Sequence, residues 1–456
     1  MTYQNFFCRL LTIVSFLLVC TGTAYAANPA PAVDSGDVAW MIVATVFVLM
    51  MSIPGLSLFY SGLVRVKNSI SLQTQVLLCF VVILMLWFIY GYALTFSDFA
   101  DFDNILNRLL LWKVEAGTTV PGAEANRLLP LFIFFLFQGA FAAITCALII
   151  GALAERTRIA GVIVFTIIWF SLSYIPIAHM IWHKSVVNGT HDGLLTGWGI
   201  QDFAGGMVVH VNAGVAGLVA SYMVRARRDF GKKPLSPHSL NNVITGASLL
   251  WLGWIGFNAG SALSANGQST LAFVNTVVAP AAACLSWLMI EHIKYGKVTS
   301  LGAVSGVLAG LVGVTPAAGL VAPWAALVIG VVSAQCSFMA LSLVKRKWQI
   351  DDSLDVFAIH GVSGLAGSLL VGIFAFVTLG GALPVPKGSS LVEAIGTQLL
   401  LQASGCGIVI VISAVATWIG VFVARSFSQL RADANDEETG LDIVDHGETA
   451  YNFLNE

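Results

Sequence analysis

Apolar runs dominate this 456-residue chain, and short polar segments punctuate them. Runs rich in Leu, Ile, Val, Phe and Ala occupy residues near 38–64, 70–96, 128–153, 159–182, 203–224, 243–264, 269–290, 356–380 and 391–424. Each is long enough, at a rise of about 1.5 Å per residue, to cross the ~30 Å hydrocarbon layer as a helix. A further run over 298–344 is too long for one crossing. Thr315-Pro316 and Pro323 are expected to break it into two helices, because proline lacks the N–H that an interior turn needs. The pattern predicts eleven transmembrane helices and an all-α integral membrane fold.

Composition fits that reading. Hydrophobic residues make up 57% of the chain and charged ones only 10%, which excludes a soluble globular protein. The net charge of −2 offers no basic surface for nucleic acid. Seven cysteines lie inside apolar runs with no CxxC pair, so neither a disulfide framework nor a thiolate zinc site is indicated. Residues 1–26 read as a signal peptide, with Arg9, an apolar core from Leu10 to Cys20 and Ala24-Tyr25-Ala26 as the cleavage site; a retained short helix is the alternative. Residues 27–424 then form the transmembrane domain and 425–456 a tail. With the mature N-terminus outside, 16 Lys and Arg fall in cytoplasmic segments and 5 in external ones, as the positive-inside rule requires. The expected location is the inner (plasma) membrane, with a periplasmic N-terminus and a cytoplasmic C-terminus. The tail carries eight acidic residues, yet its 440–451 stretch, GLDIVDHGETAY, mixes apolar and polar positions, so docking and disorder both stay open.

Within this apolar frame one motif occurs twice. Asp202, His210, Gly214 and Gly217 match Asp352, His360, Gly364 and Gly367 in D-x7-H-x3-G-x2-G, 150 residues apart. Each His lies ~12 Å along the helix from its Asp, near the bilayer centre if the Asp marks a helix end. An ionisable residue at that depth is a functional-site hypothesis by default. The first copy lies in the fifth span and the second in the tenth. Five being odd, the two halves must be inverted repeats, with an eleventh helix outside the duplication that straps its exterior. Inverted repeats bring their midpoints together at the membrane centre, where transporters place their sites. Glycines after each His allow close helix approach. A dry pore disfavours imidazolium, so His210 and His360 are expected to rest neutral, sharing one hydrogen bond and serving a small polar solute or a relayed proton. Asp202 and Asp352 suit helix caps at the pore mouths better than they suit a metal.

Aromatics cluster in separate spans: Phe137 and Phe141 in FQGAF, Trp182 at the end of the fourth span, and Trp254 and Phe257 in GWIGFNAGSA. Ring faces can hold a small monovalent cation without offering a charge. A competing constellation, His179 and His183 at i,i+4 with His191 and Asp192 nearby, has zinc-ligand spacing but lacks the Glu of HExxH. It is set aside, and no metal or cofactor is expected.

The segments FYSGLVRVKN (59–68), FQGAF (137–141), GALAERTR (151–158), SYIPIAHMIW (173–182), DFAGGMVVHVNAG (202–214), GWIGFNAGSA (253–262), AFVNTVVA (272–279), AGLVGVTPAAG (309–319) and DDSLDVFAIHG (351–361) together resemble the ammonium transporters of the Amt/Mep/Rh superfamily, bacterial branch. The resemblance spans nearly everything after residue 26. It implies a homotrimer with one pore per subunit and a tail that couples to a PII-family signal protein at the cytoplasmic face. It also implies roles: His210 and His360 as twin pore histidines, Phe141 and Phe257 as a stacked gate, and Trp182, Ser261 and Phe137 as the outer ammonium site. Asp202 is then a structural aspartate near that site and Trp254 a pore-lining ring. The chain departs from many relatives after Trp182, where it has His183 and Lys184 in place of glycines; an extra cation there would weaken ammonium recruitment or change its pH response. The expected function is capture of ammonium outside, deprotonation, and conduction of ammonia past the histidines into the cytoplasm, with no enzymatic activity. An ammonium sensor signalling through its tail, and a membrane metalloenzyme on His179, His183 and His191, are the competing readings.

Overall fold

The computed structural model describes residues 31–99, 101–122, 124, 126–184 and 192–451. The expected signal peptide and His191 lie outside these. Among the described residues ten helices are long and apolar enough to span a membrane: α1 (Ser35–Leu63), α2 (Val66–Phe96), α3 (Leu131–Leu153), α4 (Ile159–Trp182), α5 (Gly206–Val224), α6 (Leu240–Gly260), α7 (Gly267–Tyr295), α9 (Pro323–Lys347), α10 (Phe357–Phe374) and α11 (Leu391–Phe427). The shorter apolar helix α8 (Ser300–Val314) lies between α7 and α9. The long run after residue 298 therefore breaks as proline chemistry requires, with Pro323 in the first turn of α9 and non-helical backbone over 315–322. Non-helical backbone at membrane depth is tolerated only where protein surrounds it. Thr315, Ala317, Ala318 and Val321 are accordingly buried.

Helix bounds differ from the apolar runs where local chemistry overrides hydropathy. Residues 128–130 belong to strand β3 (Arg127–Pro130) and not to α3. With β1 (Ala32–Val33) and β2 (Thr119–Pro121) it forms a small sheet in the order β1-β3-β2, which the hydropathy pattern did not anticipate. Strands β1 and β3 run parallel and β2 and β3 antiparallel. Helix α5 begins at Gly206, because Gly205 turns at φ 113°, a backbone that side chains with a Cβ rarely adopt. Helix α10 ends at Phe374, before a short connector.

The two motif copies cross antiparallel. A Cβ built on Gly217 would meet Val356, one on Gly214 would lie 2.3 Å from the Gly361 backbone, and one on Gly364 would lie 2.9 Å from the His210 Cβ. The Gly364–His210 approach maps onto the Gly214–His360 approach when the two halves are exchanged, as a two-fold axis between inverted repeats demands. Helix α11 joins both halves from outside. Its Gln402 accepts from Gln201 N–H at 2.8 Å and donates at 2.8 Å to both Gln201 O and Ser368 O.

Of the two readings of the tail, the packed one describes 428–451. Helix α12 (Ala434–Thr439) leads into Leu441 and Asp442, both buried. Asp442 accepts from Ser71 N–H at 2.7 Å and Ile70 N–H at 3.1 Å, capping the α-helical part of α2. Asp436 and Asp445 both pair with Arg158, the latter at 2.8 Å.

Candidate functional site

Both histidines sit in wide helical turns. His210 N–H donates to Gly205 O at 3.1 Å, an i→i−5 bond, within the π-helical stretch Gly206–Val211; His360 lies in the matching stretch Phe357–Val362. Such bulges recur at functional sites, since an extra residue per turn re-aims a side chain. Each turn hangs from an aspartate. The Asp202 carboxylate accepts from Gly205, Gly206, Met207 and Val208 N–H at 2.6–3.0 Å. Asp352 accepts from Val356 at 3.0 Å and Phe357 at 2.7 Å. These bonds occupy the orphan donors of a helix start. Asp352 lies outside the spans, and its carboxyl is pushed up to about 6 by burial first and by the neighbouring Asp355 second. It borders neither His ring's cavity and sits at a helix start.

The rings meet at the centre. His210 Nδ1 and His360 Nδ1 are 3.2 Å apart, with both side chains buried. An Nδ1–Nδ1 hydrogen bond needs one donor and one acceptor, so the two rings hold complementary tautomers. Trp254 stacks on His210 at a centroid distance of 5.3 Å and 22°. Its Nε1–H donates to Thr315 Oγ1 at 2.8 Å, and Thr315 donates to Leu311 O at 2.8 Å. Thr315 was not singled out from sequence beyond its place beside Pro316; a hydroxyl at a helix break inside an apolar run was the available signal. Asn212 was also missed. It donates to Val208 O at 3.1 Å and accepts from Ser173 at 2.7 Å, tying the His210 turn to α4.

A column of rings leads away from His210. Phe257 lies 6.1 Å from it, and Phe141 stacks on Phe257 at 3.9 Å and 15°. Phe137 and Trp182 reach Phe141 at 4.8 Å and 5.9 Å. Trp182 Nε1–H donates to Asp202 O at 3.0 Å, so the first aspartate fixes both the His210 turn and the Trp182 ring. Ser261 donates to Phe257 O at 2.8 Å, which leaves its oxygen lone pairs to accept from a cation. Thus α3, α4, α5, α6 and α10 bring all the aromatic and histidine candidates into one line. Around the two His rings the cavity leaves about 10 Å³, roughly room for one water, walled by apolar side chains such as Leu56, Ile144, Val209 and Leu308. On the far side His360 opens into a vestibule of about 460 Å³.

His183, expected with Lys184 to add a cation after Trp182, lies in surroundings that disfavour its charged form. It is buried and stacks on His179 at 4.7 Å and 12°. Burial, then the neighbouring His179, lowers its imidazole to about 4, against the opposing pull of Asp98 and Asp192. Lys184 is exposed. His179 Nδ1 bonds Thr95 O at 2.9 Å, and among the described residues no group of three or more His, Cys, Asp or Glu could hold a metal ion.

The family model described as the Ammonium Transporter Family matches residues 39–451. An ammonium transporter of Aquifex aeolicus is 37% identical over 448 residues, covering 98% of this chain and all of that one. An ammonium transporter of Bacillus subtilis is 36% identical over 416 residues, covering 91% and 98% of the two chains. Among solved structures, Mep2 of Saccharomyces cerevisiae superposes with a TM-score of 0.77 at 33% identity, covering 88% of this chain and 91% of that one. These relatives are transporters and not enzymes. An all-helical membrane bundle, an aromatic column ending on a histidine pair, and a match over nearly the whole length converge on one assignment: the chain belongs to the ammonium transporter family.

Proposed function

We propose that the protein captures ammonium at Trp182, Phe137 and Ser261, strips it of a proton, and conducts ammonia past His210 and His360 into the cytoplasm. The single observation that carries this reading is the 3.2 Å Nδ1–Nδ1 contact across a cavity with space for about one water. Carrying ammonium through that apolar constriction as an unpaired ion costs many kcal/mol, whereas neutral ammonia crosses at far lower cost. Ring faces and the Ser261 oxygen favour the cation outside; the stacked Phe141 and Phe257 exclude its hydration shell. The proton released there travels separately. Taken up at one ring's Nε2, it displaces the shared Nδ1 proton to the other ring, whose own Nε2 releases a proton, so both tautomers exchange and charge balances.

The excess of Lys and Arg at the Arg156 end supports a cytoplasmic position for that end and an external one for the Trp182 end. The plasma membrane, a cleaved residue 1–26 signal, a homotrimer and a PII-family partner at the cytoplasmic tail belong to the same reading. The packed tail, wired to Arg158 and to the start of α2, supports a role for it in communicating with that partner.

Solid-supported-membrane currents on reconstituted protein test the mechanism. Ammonium pulses give currents in wild type, and potassium pulses do not. His210→Ala or His360→Ala changes the current size or admits potassium. Unchanged currents and selectivity in both variants would remove the histidines from the mechanism.

A further inference from the structure

The outer site rests on a turn whose support the roles assigned above leave unused. Between α6 and α7, residues 261–266 reverse the chain, with Ser261 at the start and Leu263 at φ 53°, a left-handed backbone that a leucine adopts only when its surroundings impose it. The turn just after Leu263 is held by Asp37 in the first turn of α1, which is nine-tenths buried at 3% exposure. Its Oδ1 accepts from Ser264 Oγ at 2.9 Å and from Ala265 N–H at 2.8 Å. Its Oδ2 faces Arg127 at 3.4 Å, and Arg127 is itself held by Asp34 and by Glu124 at 3.8 Å. Strand β3 begins at Arg127 and so carries it to the back of Asp37.

We infer that Asp37 is a positioning residue for the outer cation site, acting through the Ser264–Ala265 turn to hold the Ser261 oxygen beside Phe137 and Trp182. The inference rests on the outer-site reading above. Two observations place turn and site together: a Cβ on Gly260, just before Ser261, would lie 2.8 Å from the Phe137 ring, and Ser261 is bonded to the carbonyl of Phe257. One carboxylate oxygen taking two donors from the turn fixes where it sits, and releasing it lets Leu263 relax. The substrate never meets Asp37 itself, so the effect falls on capture and not on passage.

Ammonium-evoked currents on reconstituted protein, fitted for KM and maximal current, provide the test. Asp37→Ala raises KM about tenfold, the size of a lost hydrogen bond to a charged group, and keeps the maximal current within about twofold. Asp37→Asn keeps an oxygen at the Oδ1 position and restores KM to within about threefold of wild type. Ser264→Ala, which removes one bond and leaves the carboxylate in place, raises KM about threefold and keeps the inference testable if Asp37→Ala does not fold. The inference is overturned if KM is unmoved in Ser264→Ala and in a folded Asp37→Ala. It is equally overturned if Asn is as impaired as Ala, which would mean that charge alone matters, or if the loss appears only in maximal current. Wild-type protein that gives no ammonium current would instead sink the outer-site reading.

Discussion

At the residue scale, the end of α4 separates what a residue type suggests from what its surroundings permit. A histidine and a lysine following Trp182 read as an extra cation there, yet of the two only the lysine is exposed. His183 is enclosed against His179, and burial first and His179 second lower its imidazole to about 4, which favours the neutral ring near pH 7. His183→Gln should therefore leave the dependence of ammonium current on external pH unaltered between about pH 5 and 8, relative to wild type. A shift of the acid limb in the variant would show that the imidazole does titrate there. Stability should respond instead. The unfolded chain binds a proton at the ordinary value near 6.5 and the folded one only near 4, so this residue withdraws stability progressively as pH falls between the two. Thermal unfolding in detergent should lose less between pH 7 and 5 in His183→Gln than in wild type.

At the element scale, the repeat was legible because its chemistry is expensive. An ionisable ring in an apolar helix, repeated in frame with two glycines, stands out against lipid-facing composition, and the broken run at Pro316 and Pro323 follows from proline itself. The wide turns around His210 and His360 were not legible, since hydropathy reports burial and is blind to whether a helix closes at i−4 or i−5. The same blindness hid the strands before α3, the Thr315 support of Trp254, and Asp37, whose value lies in partners 90 and 228 residues away. The glycines carry the geometry. A Cβ at position 214 would sit 2.3 Å from the Gly361 Cα and N, both backbone atoms with no rotamer to yield. Gly214→Ala must push α5 from α10 and widen the histidine pair, at about 1–3 kcal/mol of overpacking. The expected result is a lower unfolding temperature together with reduced ammonium current. Gly396→Ala, with nothing within 4 Å of the added Cβ, serves as the control and should change neither. Equal currents in Gly214→Ala and wild type would mean that the pair tolerates separation.

At the scale of the whole molecule, the two repeats are locked at the Arg156 end by a buried ionic cluster drawn from four connections. Arg227, after α5, grips Asp351 through two bonds of 2.8 and 2.9 Å and Glu155 at 2.8 Å. Arg65, after α1, adds a 3.0 Å bond to Glu155, and Arg156 donates to the Asp351 backbone oxygen at 2.7 Å. Asp351 directly precedes the Asp352 cap of the His360 turn, so the cluster ties that turn in the second half to the first half. Burial alone would raise the Glu155 and Asp351 carboxyls. Arg227, aided by Arg65 at the former and Arg156 at the latter, reverses this and holds both below the ordinary carboxylate range. Their contribution is thus complete above about pH 4–5 and is lost as pH falls through the lowered values. Arg227→Met leaves both carboxylates buried with their main partner gone, a change that costs about 3–5 kcal/mol when one member of a buried pair is removed. In the variant the carboxyls, stripped of their main partner, hold protons more readily, so acidification from pH 7 relieves it, whereas wild type weakens only below about pH 4–5. The difference in unfolding temperature between the two proteins should therefore be widest near pH 7 and narrow steadily toward pH 4. A difference that stayed constant across that window would mean that Arg227 joins the halves by the packing of its stem and not by its charge.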